Sequence, residues 1–341
     1  MTSKFYSNQE MLDYSDVLIV PCSGDVSSRS EVDLETGPGV IPIIAANMDG
    51  VGTFEMARAL AKHKMLTALV KHYSLEDLIE FFKEDASKFA FYSMGIGGED
   101  IYKYSKFIDA VNAEETNVPY GICIDVANGY TDNFLDRLDE ITNIAPNMFY
   151  MAGNVVTPEQ VYALSQKGID VVKVGIGPGS VCTTRKLTGV GFPQFSAVMD
   201  CAKTGMGVCA DGGITCPGDV AKAFGAGANF VMIGGMFAGH EEGLPAGYKD
   251  KTEYVSNIHF YGMASKAAQT LHNGGVAEYR ASEGKEVVIK YKGPVENTVQ
   301  ELLGGLRSAC TYVGARSLYE LNENAQFIRV NRQLNNIFGV S

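Results

Sequence analysis

The stretch Val171-Val-Lys-Val-Gly-Ile-Gly-Pro-Gly-Ser-Val-Cys-Thr-Thr-Arg185 decides how this chain is read. Its first four residues have the apolar pattern of a buried strand. A loop of glycine and hydroxyl residues follows, carrying one thiol, Cys182. Glycines let peptide N–H and C=O groups approach a ligand closely, because no Cβ stands in the way. Ser180, Thr183 and Thr184 add hydroxyl groups. On spacing alone Cys182 reads two ways. It is either a nucleophile beside an anion or nucleotide cradle, or a small hydrophobe of the kind that fills cores. A glycine-rich loop after a strand places it at a functional rim.

Working outward, the same order recurs. Strands are predicted at Ile41–Ala46, Leu66–Val70, Ala90–Gly95, Gly121–Val126, Met148–Ala152, Val171–Val174, Val208–Ala210 and Phe230–Ile233. Amphipathic stretches lie between them, such as Leu75–Phe82 and Pro158–Ser165. Eight alternating strand–helix units predict an α/β fold, the (β/α)8 TIM barrel. A doubly wound sheet would carry GxGxxG after its first strand, and Asn47-Met-Asp-Gly-Val-Gly52 stands there instead.

A barrel places its chemistry just after the strands. Polar and glycine clusters fall there: Asn47–Asp49, Lys71–Tyr73, Asp125–Gly129, Gly153-Asn154, the Cys182 loop, Asp211–Gly213 and Gly234-Gly235. The last two suit the phosphate site that barrels form after strands seven and eight. From about 239 to 294 the alternation stops. This polar segment is too long for an ordinary barrel loop and predicts a lid over the active-site face. Val295–Val313 resumes a helical pattern that would close the barrel.

A length of 341 residues suits one large barrel or two ordinary domains. Hydrophobic content of 46% and charged content of 20% are those of a soluble globular chain. The formal charge of −12 disfavours nucleic acid as a partner, while backbone amides can still bind a phosphate locally. The seven cysteines are scattered without a CxxC pair, and no His spacing suggests a transition metal. No apolar run could span a bilayer and no signal-like apolar core opens the chain, so the expected location is cytoplasmic.

The chain resembles the family of GMP reductases and IMP dehydrogenases along nearly its whole length. The motifs that carry the likeness are Ile43–Asp49, Met151–Val156, Gly175–Arg185, Asp211–Gly213 and Cys216–Ala228. Lys71-His-Tyr73, Asp125–Gly129 and Glu278–Lys285 resemble the reductase branch. The dehydrogenases' Arg-Tyr pair that activates water is missing, with Tyr279-Arg280 in its place. No room exists around Leu75–Ala90 for their paired regulatory (CBS) insert, so residues 1–341 read as one catalytic domain. The chain departs from the reductases in shorter loops near Gly24–Val40 and Thr204–Gly207 and in an unmatched tail, Asn331–Ser341.

The resemblance implies NADPH-dependent reductive deamination of GMP to IMP and ammonia. In that scheme Cys182 is the nucleophile, Thr184 and Glu283 relay a proton, and Lys71 and Asp125 lie near the cofactor and the proton path. The substrate phosphate would meet Ser180, Gly213, Gly234 and Gly235, with Gly212 beside them. Asp211 would accept from the ribose, and Gly262, Met263, Arg280, Ala281, Ser282 and Gly284 would surround the base. Cofactor contacts would come from Ser28, Arg29, Val126, Ala127, Ile176, Gly177, Tyr279, Arg280 and Ser308-Ala309-Cys310-Thr311. The last four would act across a subunit boundary in a homotetramer. Potassium would be held by the carbonyls of Gly177, Gly179 and Cys182, with Arg185 in the ligand set. The rival readings are an IMP dehydrogenase using NAD and water, a catalytically silent nucleotide-binding regulator, and a flavin-bound barrel. Retention of Cys182, Thr184 and Glu283 together argues against silence.

Overall fold

The computed structural model of the chain describes residues 6–7, 9–37, 39–244, 257–275 and 282–331. A short strand, β1 (Val17–Ile19), precedes the barrel. Eight parallel strands then close on themselves in chain order: β2 (Ile41–Ala45), β3 (Met65–Ala68), β4 (Ala90–Met94), β5 (Gly121–Asp125), β6 (Tyr150–Val155), β7 (Val171–Val174), β8 (Gly207–Asp211) and β9 (Phe230–Ile233). Closure comes from β9 pairing with β2, with Ile43 opposite Val231 and Ala45 opposite Ile233. The barrel reading therefore holds. Most strand residues are buried on both faces, which is why they read as continuous apolar runs without alternation.

Helices cover the outside: α1 (Phe54–Ala61), α2 (Leu75–Phe81), α3 (Gly98–Asn112), α4 (Asp132–Ile144), α5 (Pro158–Ser165), the pair α6 (Thr184–Thr188) and α7 (Gln194–Ala202), and α8 (Pro217–Gly225). Their starts follow local chemistry. Thr53, Ser74 and Thr131 cap α1, α2 and α4 by accepting from backbone N–H groups of the first turn. Pro158 and Pro217 sit in the first turns of α5 and α8, where a missing N–H leaves no bond unmade.

After β9 come β10 (Asn257–Tyr261), α9 (Lys266–Asn273) and β11 (Glu286–Lys290), with β10 and β11 antiparallel. The helix α10 (Glu296–Tyr312) then supplies the eighth barrel helix, followed by α11 (Leu318–Asn324) and β12 (Phe327–Arg329). β12 pairs antiparallel with β1, so residues far apart in sequence meet. Tyr14 and Phe327 both pack on Phe195 of α7. Lys222 of α8 donates to the Tyr14 carbonyl at 2.9 Å.

Two expectations need correction. The fifth barrel strand begins at Tyr150, not Met148, and extends to Val155, so Gly153-Asn154 lie within the strand. The second is Met65–Ala68, two residues short of the expected Val70. Leu69 and Val70 are buried but belong to the loop that leads to Lys71.

Candidate active site

The C-terminal ends of the barrel strands open into a cavity of about 900 Å³. Its floor follows from strand register. Asp125 pairs with Gly153, Gly153 with Lys173, and Lys173 with Cys209. Gly153 presents no side chain there; a Cβ on it would stand 2.7 Å from that of Lys173. Lys173 reaches past it to an ion pair with Asp125 and a second one, at 3.3 Å, with Asp211. Asn154 Nδ2 donates to Asp211 at 2.8 Å and to the Gly175 carbonyl at 2.7 Å.

Lys173 is 1% exposed. Burial alone would discharge it, but the carboxylates of Asp125 and Asp211 more than offset that and hold its ammonium charged. Burial likewise opposes the Asp125 carboxylate. The Lys173 charge and hydrogen bonds from Lys173 and Asn47 overcome it, so its pKa is lowered. Below this layer burial pushes the Cys123 thiol up to about 12. The Cys209 thiol is also raised well above the ordinary range by burial.

Cys182 stands at the rim. The Cys182 thiol donates to Thr184 Oγ1 at 3.3 Å, and that hydroxyl donates to Glu283 Oε2 at 2.8 Å. Main-chain bonds fix this relay. Thr183 N–H donates to the Glu283 carbonyl at 3.1 Å and Lys285 N–H to the Val181 carbonyl at 2.9 Å, so the segment 282–285 is seated on the cysteine loop. Cys182 N–H donates to the Gly179 carbonyl at 3.0 Å and closes the turn.

The loops after β7, β8 and β9 converge beside Cys182. Gly212 and Gly213 have φ of +89° and +80°, a conformation that favours glycine. A Cβ on Gly235 would stand 2.9 Å from Ser180 Oγ. Hydroxyl and backbone groups thus line this end of the cavity. At the other end of the cavity stand Lys71, Gly95, Val126 and Ala127, with Ile176 and Gly177 on the wall between. Lys103 donates to the carbonyls of Lys71 and Tyr73 at 2.7 and 3.1 Å and steadies that loop.

Asp49 ties the segment after β9 to the barrel. It accepts from Tyr261 at 2.9 Å and pairs with His272 at 2.7 Å, and its N–H donates to Met263 Sδ at 3.4 Å. His272 stacks on His72 with ring centroids 3.6 Å apart. Burial, with the nearby His272 and Lys71, drops the His72 pKa to about 4.

Of the expected site residues, Cys182, Thr184, Glu283, Lys71, Asp125, Ser180, Asp211, Gly212, Gly213, Gly234, Gly235, Gly262, Met263, Val126, Ala127, Ile176, Gly177 and Gly179 line this one cavity. Gly284 bridges to Cys182 behind it, and Ser282 adjoins Glu283. Tyr279, Arg280 and Ala281 lie outside the described residues, as does the tail from 332. Ser28 caps a turn at Arg29–Glu31 that packs on α10, the helix of Ser308, Ala309, Cys310 and Thr311. None of these six lines the cavity, and Cys310 is buried in the core. Arg185 turns its side chain away to Asp13 at 2.9 Å, and its carbonyl accepts from Gly189 N–H at 3.2 Å. Sequence reasoning missed Lys173, whose signal was a lone charge in an apolar strand, and the Asp49–His272–His72 anchor, in which His272 lies 200 or more residues from its two partners.

A closed parallel barrel with a cysteine hydrogen-bonded through a threonine to a glutamate beside glycine-rich loops at one mouth has the layout of a barrel enzyme. A model of the IMP dehydrogenase / GMP reductase domain matches residues 11–335. The chain is 51% identical to GMP reductase 1 of Mus musculus, covering 96% of this chain and 97% of that protein. It is 50% identical to GMP reductase 2 of Homo sapiens, with 97% of each covered. Against GMP reductase of Shewanella halifaxensis the identity is 48% over 96% of this chain and 97% of that one. The crystal structure of inosine 5′-monophosphate dehydrogenase from Legionella pneumophila superposes with a TM-score of 0.79 at 32% identity, covering 94% of this chain and 99% of that chain. The chain belongs to the IMP dehydrogenase/GMP reductase family.

Proposed function

We propose that the chain is a GMP reductase, converting GMP to IMP and ammonia with NADPH. The observation that carries this reading is the Cys182–Thr184–Glu283 hydrogen-bond chain beside a phosphate cradle in one cavity. Names of relatives at about half identity over nearly the full chain favour the reductase over the dehydrogenase and over a silent regulator.

The geometry suggests the order of events. The Cys182 thiol adds to C2 of the guanine ring while its proton passes through Thr184 toward Glu283. The same relay returns a proton to the exocyclic amine, which leaves as ammonia and leaves sulfur bonded to C2. NADPH, when bound, supplies the hydride that displaces sulfur and gives IMP. Val126, Ala127, Ile176 and Gly177 offer the flat, largely apolar wall that a nicotinamide ring needs, with Lys71 and Asp125 beside it. Asp211 is placed to accept from the ribose hydroxyls, and the segment 239–294 serves as the lid of a single catalytic domain.

Ser28, Arg29 and Ser308–Thr311 stand apart from their own cavity, which suits contact with the adenosine end of NADPH in a neighbour's site and a homotetramer. Light scattering that finds an active monomer would remove that reading. Carbonyl oxygens of the 177–185 turn are hard donors suited to potassium. Those of Gly179 and Arg185 each already accept one hydrogen bond, and a carbonyl has two lone pairs. Replacing potassium by sodium at constant ionic strength tests this by activity. No helix among the described residues is long and apolar enough to cross a membrane, in keeping with a cytoplasmic enzyme. The deciding experiment follows nicotinamide absorbance with GMP plus NADPH beside IMP plus NAD. Faster reduction of NAD by IMP would overturn the reductase reading in favour of the dehydrogenase.

A further inference from the structure

The cavity floor holds a charged group to which the reaction scheme gives no part. Lys173 is buried in an otherwise apolar strand, yet it bonds to two carboxylates at once. They sit at the ends of different strands, Asp125 on β5 and Asp211 on β8. They also serve different ends of the proposed site, Asp211 the ribose and Asp125 the nicotinamide side.

We propose that Lys173 is the positioning residue of this site, a shared counter-ion that holds both Asp125 and Asp211 aimed into the cavity. The assignment rests on the GMP reductase reading and deepens it. Three observations converge on it. The register lines up Asp125, Gly153 and Lys173 across adjacent strands. Gly153, lacking a side chain, lets the root of Lys173 pack against it, since a Cβ there would stand 2.7 Å from the Lys173 Cβ. Asn154, next to Gly153 in the chain, donates at 2.8 Å to Asp211 Oδ2, the same oxygen that Lys173 pairs with, and holds that carboxylate when its partner changes.

The other ionisable groups of this layer do not substitute for it. Cys123 and Cys209 are buried thiols whose acidity is suppressed. Lys71 comes from the rim, where it acts on Asp125. With Lys173 absent, two carboxylates face one another over apolar walls with no cation between. Like charges so placed repel, and one of them turns away. A displaced Asp211 no longer offers two acceptors to a ribose diol. A residue that merely filled space would be replaced without this effect by methionine, which is unbranched and of similar length.

The test uses the full-length protein and GMP alone, with affinity read by calorimetry, so binding is separated from turnover. Lys173→Met is expected to weaken GMP binding by about tenfold or more, the scale of breaking one side of a buried ion pair. Lys173→Met combined with Asp125→Asn removes the repulsion and leaves Asp211 held by Asn154. GMP affinity in that double variant is expected to return to within about threefold of wild type, while turnover stays low because Asp125 is lost. Wild-type affinity in Lys173→Met overturns the assignment. So does a double variant that fails to fold or binds no better than the single one, since a structural role predicts loss in both. If Lys173→Met alone does not fold, a folded double variant that binds GMP still supports the assignment. Wild-type protein that binds neither GMP nor IMP overturns the functional reading itself, and the assignment with it. Wild-type binding without loss in Lys173→Met overturns only the assignment.

Discussion

Glu283→Gln separates the two chemical steps. Gln keeps the size of the side chain and can still accept from Thr184, which lies 2.8 Å away. The Glu283 main-chain carbonyl still accepts from Thr183 N–H at 3.1 Å, so the segment stays seated on the cysteine loop. What is lost is acid–base function at the end of the relay. General acid catalysis is worth about 10²–10⁴ in rate, or roughly 3–5.5 kcal/mol of barrier at about 1.36 kcal/mol per decade. GMP turnover should fall by that factor at every pH, because the amine cannot leave without a proton. The reverse half-reaction, IMP plus NADP giving NADPH and the sulfur adduct, needs only removal of the thiol proton. Solvent base can take that proton, so raising the pH should restore this half-reaction in the variant. Ammonia release from GMP and single-turnover NADPH formation from IMP, each measured across pH, make the comparison. Equal losses in both directions, unaffected by alkali and accompanied by weaker GMP affinity, would refute the relay and leave Glu283 as a structural tie.

Other outcomes are equally specific. Cys182→Ala should bind GMP and lose turnover, and the nucleotide adduct seen by intact-mass spectrometry of the wild type should vanish; residual turnover would remove the covalent route. Gly213→Ala forces a side chain into φ of +80°, costing roughly 1–2 kcal/mol in backbone strain. Its GMP affinity should fall while that for guanosine, which lacks the phosphate, stays level; equal loss of both would take the phosphate away from this loop. The His72 pKa is lowered to about 4, so the unfolded chain binds that proton more readily. Stability from this site is complete above about pH 6.5 and is lost as pH falls toward 4. His72→Phe keeps the stack on His272 without the charge, and melting curves at pH 7 and 5 should show a smaller acid-induced drop than wild type. The side chain is exposed, so the difference should be modest; an unchanged drop would clear His72 of that role.

Most of the barrel was legible because parallel strands buried on both faces leave unbroken apolar runs, as at Ile41–Ala45 and Phe230–Ile233. The β1–β12 pairing was not. Each strand has three residues, and nothing local in Val17–Ile19 announces a partner at Phe327–Arg329. Gly153-Asn154 reads as a loop because glycine and asparagine are turn formers, yet the strand continues through them, with glycine required where a Cβ would stand 2.5 Å from the Lys173 carbonyl oxygen. Cys182 was legible from its glycine-rich setting, and Glu283 only from family likeness. The bond between Thr184 and Glu283 spans 99 residues, a separation that no local pattern encodes. The Asp49–His272–His72 anchor is long-range in the same way.

The seating of 282–285 on the cysteine loop by main-chain bonds has a consequence for timing. The nucleophile and its proton partner belong to different stretches of chain and meet only while Thr183 and Lys285 keep their partners. Any movement that widens the mouth by lifting this stretch pulls the carboxylate off the threonine at the same moment. On the proposed mechanism, admission and reactivity are then mutually exclusive: a nucleotide that can still escape would face a disarmed thiol, and one facing an armed thiol would already be enclosed.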